Sequence, residues 1–266
     1  MTSIAVRDAS LYYEDTGDGP PVLFIHGASG GAWVWQDQVE RLSPSLRCVT
    51  YDRRGHSRST PGQGGQSNTT HADDAAALID ALGLRPCLLV ASSGGACIGL
   101  ELVLRHPHLL RGAVLSEPPQ GSLDPIAGSA LMADIAGPVS AAEASGGPRA
   151  AADAFFAAVC PGLWAIADEP RKDRYRDNAE VLLAGLQSPA TQITPADLDA
   201  VTLPVLVIAG ADSHPALRTI AHVLADSLPD ARLIEIPDCG HVTYAEQPAT
   251  FARAVRAFAG ELAPSP

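Results

Sequence analysis

Ser93, with a histidine and two carboxylates further along the chain, is the combination of residues here with the most chemical content. It stands in Leu88-Leu89-Val90-Ala91-Ser92-Ser93-Gly94-Gly95-Ala96, where a short apolar run ends abruptly and a helical pattern begins at once. A strand that turns directly into a helix forces its central residue into a strained backbone conformation. Bulk two positions to either side would collide with the adjoining elements. The hydroxyl is then held above the sheet beside the first N–H groups of the helix, which suits a nucleophile attacking a carbonyl. Ala91 replaces the more usual first glycine, a departure that such a turn tolerates. An acyl-transferring serine also needs a base, an orienter for that base and donors for the oxyanion.

His241 is the candidate base. It closes Pro237-Asp238-Cys239-Gly240-His241, directly after the last expected strand, where Gly240 permits a tight turn that aims the imidazole inward. The chain has eight histidines, and six of the other seven sit in less suitable places. His106 and His108 flank Pro107, His71 and His222 fall on helix surfaces, His56 lies in a loop, and His26 shapes the loop after the third strand. Two acids compete to orient His241: Glu117 at the end of the sixth strand and Asp212 just past the seventh. A carboxylate at either place fixes the imidazole tautomer and stabilises the imidazolium. For the oxyanion, the donors are the N–H of Gly94 and one from His26-Gly27-Ala28-Ser29-Gly30-Gly31, with Ala28 the choice.

The elements that position these residues follow from the hydrophobic pattern. Strands are expected at 22–25, 47–51, 87–91, 112–116, 205–209 and 232–236. Helical spacing is expected over 33–43, 71–82, 94–105, 217–227 and about 250–262. This alternation implies a mostly parallel sheet covered on both faces, and segments 4–6 and 11–13 read as an antiparallel edge hairpin. The rhythm breaks between about Gly121 and Leu203, which is rich in small residues and holds no convincing strand. Helices at 134–144, 149–159 and 172–186 are its best segments. An insertion between two strands sits over their C-terminal ends, where such folds place ligands. Residues 1–120 and 204–266 are therefore expected to form one core, and 121–203 a helical cap. Trp33, beside the oxyanion loop, and Phe155, Phe156 and Trp164, in the cap, are candidates to line an apolar substrate pocket.

Bulk properties narrow the function classes. The 266 residues are 46% hydrophobic and 18% charged, ordinary values for a globular protein with a substantial core. A net charge of −12 argues against nucleic acid, which needs clustered Lys and Arg. No run of about 18 uncharged apolar residues is present, so no membrane span is expected. The start of the chain lacks the pattern of a signal peptide. The five cysteines form no C-x-x-C pair, and the odd count fits reduced thiols in a cytoplasm. No metal-binding or phosphate-cradling motif is found, so neither metal nor cofactor is expected.

Taken together, His26-Gly27, Asp52-Arg53-Arg54-Gly55-His56-Ser57, Ala91-x-Ser93-x-Gly95 and Gly240-His241 resemble the α/β-hydrolase superfamily in kind and order. The resemblance runs from about Leu11 to Leu262. It implies a mostly parallel eight-stranded sheet with helices on both faces and a serine nucleophile, and it leaves the substrate open. The loop from Asp52 to Ser57 is structural in such proteins. The chain departs from the commonest pattern in its acid. Members usually carry an aspartate three residues after the glycine ending the seventh strand; here that glycine is Gly210, the third residue on is Ser213, and Asp212 comes one position early. Some members place the acid after the sixth strand instead, which favours Glu117 over Asp212. The implied activity is a serine hydrolase acting on a small carboxylic ester or lactone through an acyl-enzyme. Carbon–carbon bond hydrolysis, acyl transfer and perhydrolysis use the same machinery, and a ligand-binding receptor that kept the fold is the reading from another class. An aspartate nucleophile, as in dehalogenases and epoxide hydrolases, is disfavoured by Ser93.

Overall fold

The computed structural model describes residues 2–189 and 191–262. Strands β1 (Ser3–Val6), β2 (Ala9–Thr16), β3 (Pro21–Ile25), β4 (Arg47–Tyr51), β5 (Cys87–Ser92), β6 (Leu110–Ser116), β7 (Val205–Gly210) and β8 (Ala231–Ile236) form one sheet. Its order is β1-β2-β4-β3-β5-β6-β7-β8. Only the β1–β2 and β2–β4 pairings are antiparallel; from β4 to β8 every neighbour is parallel. The expected edge hairpin is thus β1–β2, whose second strand also joins it to the rest of the sheet. Every residue of β5 and β7 is buried, as central parallel strands covered on both faces require. On the outer edge, β8 leaves Leu233-Ile234-Glu235 less covered.

Core helices follow the strands. A 3₁₀ turn (Ala32–Trp35) leads into α1 (Gln36–Leu42), and α2 (Asn68–Ala81) starts where the Ser67 hydroxyl accepts the Thr70 N–H at 3.1 Å. Helix α3 (Gly94–Arg105) begins with no residue between it and Ser93, its cap. Between β6 and β7 come α4 (Pro125–Val159), α5 (Pro161–Ile166), α6 (Glu169–Arg176), α7 (Ala179–Gln187) and α8 (Pro195–Leu198). The core then resumes with α9 (Pro215–Ser227), α10 (Thr243–Glu246) and α11 (Pro248–Glu261).

Two boundaries in the inserted segment differ from the sequence pattern. The first expected helix begins earlier, because Asp124 accepts the N–H groups of Ile126 and Ala127 at 3.1 and 2.9 Å and Pro125 occupies the first turn. That helical run is broken at Gly147, where φ is 74°, a left-handed conformation cheap only for glycine, and Pro148 restarts it. The expected helix over 172–186 is two helices. Asp168 caps α6 earlier, and the chain turns at Asp177-Asn178 before α7. The break carries Asn178, which is buried against the core.

Candidate active site

Ser93 has φ 55° and ψ −131°. Such a conformation costs a non-glycine residue on the order of 1–3 kcal/mol and persists only where its surroundings fix it. Here the Ser93 N–H donates to Ser116 O at 2.8 Å, while Ser93 O accepts the Ala96 N–H at 2.7 Å. Gly95 is required by contact: a Cβ there would lie 2.5 Å from the carbonyl oxygens of both Ile25 and His26. The alanine at 91 is accommodated by Gly99, where an added Cβ would come within 3.1 Å of the Ala91 methyl. A glycine one turn into α3 therefore makes the room that a glycine before the serine would otherwise provide.

The turn brings Ser93 Oγ within 2.9 Å of His241 Nε2, and His241 Nδ1 within 2.6 Å of Glu117 Oε2. Glu117 is fully buried in a left-handed backbone conformation of φ 44° just past β6. Its Oε1 accepts the Gly210 N–H at 2.8 Å, and its Oε2 also accepts the Ser213 hydroxyl at 2.6 Å. A carboxylate that accepts from Nδ1–H leaves Nε2 without a proton and free to accept one from the serine. The two loops are pressed together: a Cβ on Gly210 would lie 2.1 Å from Gly240 O. Glu246 clamps the histidine loop from both sides, accepting the N–H groups of Gly240 and Val242 at 2.8 and 3.0 Å.

Asp212, the other acid considered, is not placed to orient His241. It is exposed, its backbone N–H donates to Cys239 O at 2.9 Å, and among the described residues its carboxylate bonds to none. The turn after β7 brings residue 213 rather than 212 to the carboxylate that meets the histidine: the Ser213 hydroxyl donates to Glu117 Oε2. Cys239 is buried nearby, but burial pushes its thiol up to about 12, far from the thiolate a nucleophile needs.

The loop after β3 lies against the serine. A Cβ on Gly27 would sit 3.1 Å from Ser93 Cβ, and one on Gly94 would sit 3.8 Å from Ala28 N. Gly94 opens α3, so its N–H has no helical acceptor, and the Ala28 N–H donates to no group among the described residues. Two unused N–H groups thus adjoin the serine. Asn178 holds this loop from the insertion: its Nδ2 lies 2.9 Å from Ser29 O and 3.0 Å from Gly30 O, and its Oδ1 accepts the Ser57 N–H at 2.7 Å. Nothing in the sequence singles out Asn178 or Glu246. Ser213 carried a signal, since it occupies the position where an aspartate is usual.

Two cavities meet at Ser93 and His241. The smaller, about 40 Å³, is walled by Phe155, Phe156, Trp164, Tyr175 and Tyr244. The larger, about 560 Å³, shares Phe155 and runs past Leu131, Met132 and Leu182. Trp33 lines neither. Its ring packs edge-on to Tyr175 at 4.7 Å with the Arg174 guanidinium 4.1 Å over its face, so it joins the inserted segment to the core. Phe156 stacks on Trp164 at 4.7 Å, which rigidifies the wall of the smaller cavity.

Arg53, His56 and His71 also line the larger cavity. His71 is buried, 2% exposed, and not on an outer helix surface as the sequence pattern suggested; α2 turns this face toward the cavity. His222 is exposed and beside Glu235. Burial, reinforced by the charge of Arg53, holds His26, His56 and His71 well below the ordinary imidazole range. The neighbouring Asp52 and Arg54 are structural: Asp52 accepts the Ala32 N–H at 2.6 Å and binds Arg58, and Arg54 pairs with Asp74 and Asp8.

The chain is similar to several known proteins. The chain is 37% identical over 118 residues to an uncharacterized hydrolase, YraK, of Bacillus subtilis, a match covering 44% of each chain. It is 32% identical over 256 residues to a putative non-heme bromoperoxidase, BpoC, of Mycobacterium tuberculosis, covering 90% of this chain and 93% of that one. Among solved structures, Est816, described as an N-acyl homoserine lactone degrading enzyme, superposes with a TM-score of 0.75 at 26% identity, covering 97% of this chain and all of the other. The model of the alpha/beta hydrolase family matches residues 22–254, and the chain belongs to that family.

Proposed function

We propose that the protein is a serine hydrolase that cleaves a carboxylic ester or lactone through an acyl-enzyme on Ser93. The observation that carries this reading is the unbroken relay from Ser93 Oγ to His241 Nε2 at 2.9 Å and from His241 Nδ1 to Glu117 at 2.6 Å. His241 takes the serine proton as Oγ attacks the carbonyl carbon, and the resulting oxyanion is held by the N–H groups of Ala28 and Gly94. Collapse expels the alcohol, protonated by His241. The same imidazole then activates water to release the acid and regenerate Ser93. Glu117 keeps the tautomer correct throughout and stabilises the imidazolium.

Residues 121–203 act as a cap in this reading, since Phe155, Phe156 and Trp164 from that segment share cavities with Ser93. The cavity of about 40 Å³ is much the narrower, whereas 560 Å³ is in the range that takes a drug-sized ligand. One side of the scissile bond is therefore small and the other bulky. The lactone-degrading activity named for Est816 is in line with a carbonyl substrate of this kind. The test is a panel of esters varied separately on the acyl and alcohol sides, with lactones, followed by pH-stat. Turnover that tolerates bulk on one side of the ester and falls sharply when both sides are bulky supports the reading. No turnover of any ester or lactone by a folded protein contradicts it.

A further inference from the structure

Arg53 is a buried cation without a counterion. It is 7% exposed, and among the described residues no carboxylate lies within ion-pair distance of it. By contrast, the adjacent Arg54 is matched to both Asp74 and Asp8, and Arg58 to Asp52. The partners of Arg53 are neutral: its Nη2 donates to Gly27 O at 3.0 Å and to His56 Nε2 at 3.0 Å. A guanidinium only donates, so His56 Nε2 is the acceptor and the proton of that ring is on Nδ1, which donates to Arg54 O at 3.0 Å. The Arg53 backbone N–H likewise donates to His26 Nε2 at 3.0 Å, which puts the His26 proton on Nδ1, facing Gly27 O. His26 Nδ1–H therefore cannot accept from Arg53 Nε, 3.5 Å away. This leaves guanidinium donors unused.

Bracing the loop at Gly27 would need only a neutral donor. Leaving a positive charge desolvated and unpaired costs several kcal/mol, far more than one neutral hydrogen bond returns. His71, whose ring nitrogens bond to no described residue, lines the same cavity as Arg53, and that cavity also reaches Ser93 and His241. We infer that Arg53, with His71 beside it, is a subsite for a carboxylate carried on the substrate, so that the preferred substrate is an ester or lactone bearing an anionic group. The guanidinium then gains the charge-assisted, fork-shaped contact that it lacks. This inference rests on the proposed ester or lactone reaction, which it narrows to an acidic substrate class.

The test compares matched substrates. Monomethyl esters of succinate, glutarate and adipate are set against their dimethyl esters, and acetyl esters of hydroxy acids of the same lengths against their amide counterparts. This covers a carboxylate on either side of the scissile bond. The expected result is a kcat/KM at least about tenfold higher for the anionic member of one series, with Arg53→Gln removing most of that preference through KM. Using the ratio cancels any loosening of the oxyanion loop, which lowers both members alike. Arg53→Lys, which keeps a charge, is expected to retain part of the preference. A second measurement needs no turnover: calorimetric titration of glutarate into Ser93→Ala, and into Ser93→Ala carrying Arg53→Gln, with an affinity loss of about tenfold or more expected for the latter. Equal kcat/KM for anionic and neutral esters, or an equal loss of both in Arg53→Gln, overturns the subsite while leaving the reaction standing. Glutarate bound through Arg53 without hydrolysis of any ester overturns the reaction while leaving the subsite standing.

Discussion

The carboxylate bonded to His241 follows β6 rather than β7, and the reason is visible in single side chains. Glu117 accepts from His241, Ser213 and Gly210 at once, so removing it leaves three buried donors unmatched. Glu117→Ala is expected to lower kcat by about 10³–10⁴-fold, the scale seen when a histidine loses its orienting acid. It should also destabilise the fold by about 1–3 kcal/mol for each donor left unsatisfied. Asp212→Ala, at an exposed side chain, should change neither quantity by more than about half a kcal/mol. Steady-state kinetics with denaturant unfolding separates the two. Because Ser213 Oγ already lies 2.6 Å from the carboxylate oxygen facing His241, the double variant Glu117→Ala, Ser213→Asp should regain about tenfold or more of the lost rate by returning the acid to the commoner position. A double variant no better than Glu117→Ala would show that residue 213 cannot take over the role.

At the scale of elements, the parts that place the serine and histidine announce themselves locally. An apolar run stopped by Ser93-Gly94-Gly95 is a complete description of a strand, a turn and a helix start, and Gly240-His241 marks the end of β8 in the same way. What the sequence hid is contact across elements. Asn178 lies at the break between α6 and α7 and reaches Ser29, Gly30 and Ser57, more than a hundred residues earlier. No spacing rule foretells such a contact. The same blindness put Trp33 in the pocket and His71 on a surface, because periodicity shows which helix face is apolar but not which face borders a cavity. Asn178→Ala should cost about 2–3 kcal/mol, since it strips several buried polar groups of partners. It should also lower kcat more than it raises KM, because the loop bearing the Ala28 N–H loosens. Unfolding curves and kinetics check both, and unchanged kcat would mean that the insertion does not tension the loop. Gly95→Ala should be worse for stability, by about 3 kcal/mol, as its methyl meets two backbone oxygens that cannot yield.

For the molecule as a whole, a mostly parallel sheet covered on both faces was readable from the alternation of strands and helices, while its strand order and its polar interior were not. Three histidines, His26, His56 and His71, are buried and neutral beside Arg53. In the unfolded chain each takes up a proton near pH 6.5, whereas in the folded protein it does not until well below that. The unfolded state therefore binds more protons as the pH falls. The stabilisation they give is complete above about pH 7 and is lost on acidification, by up to about 1.4 kcal/mol per pH unit for each ring. Unfolding free energy should accordingly fall steeply between pH 7 and about pH 5, before carboxylates held low by arginines, such as Asp8, come into play. A stability profile flat across that window would contradict neutral burial of these rings.

The proposed reaction depends on Ser93 being an activated nucleophile, and a fluorophosphonate probe read by intact mass and peptide mapping asks this without knowledge of the substrate. The wild-type protein should take up one equivalent, mapped to Ser93. Ser93→Ala should take up none, and His241→Ala should react far more slowly although folded. Absence of labelling in the wild type, or undiminished labelling in Ser93→Ala, would contradict the account.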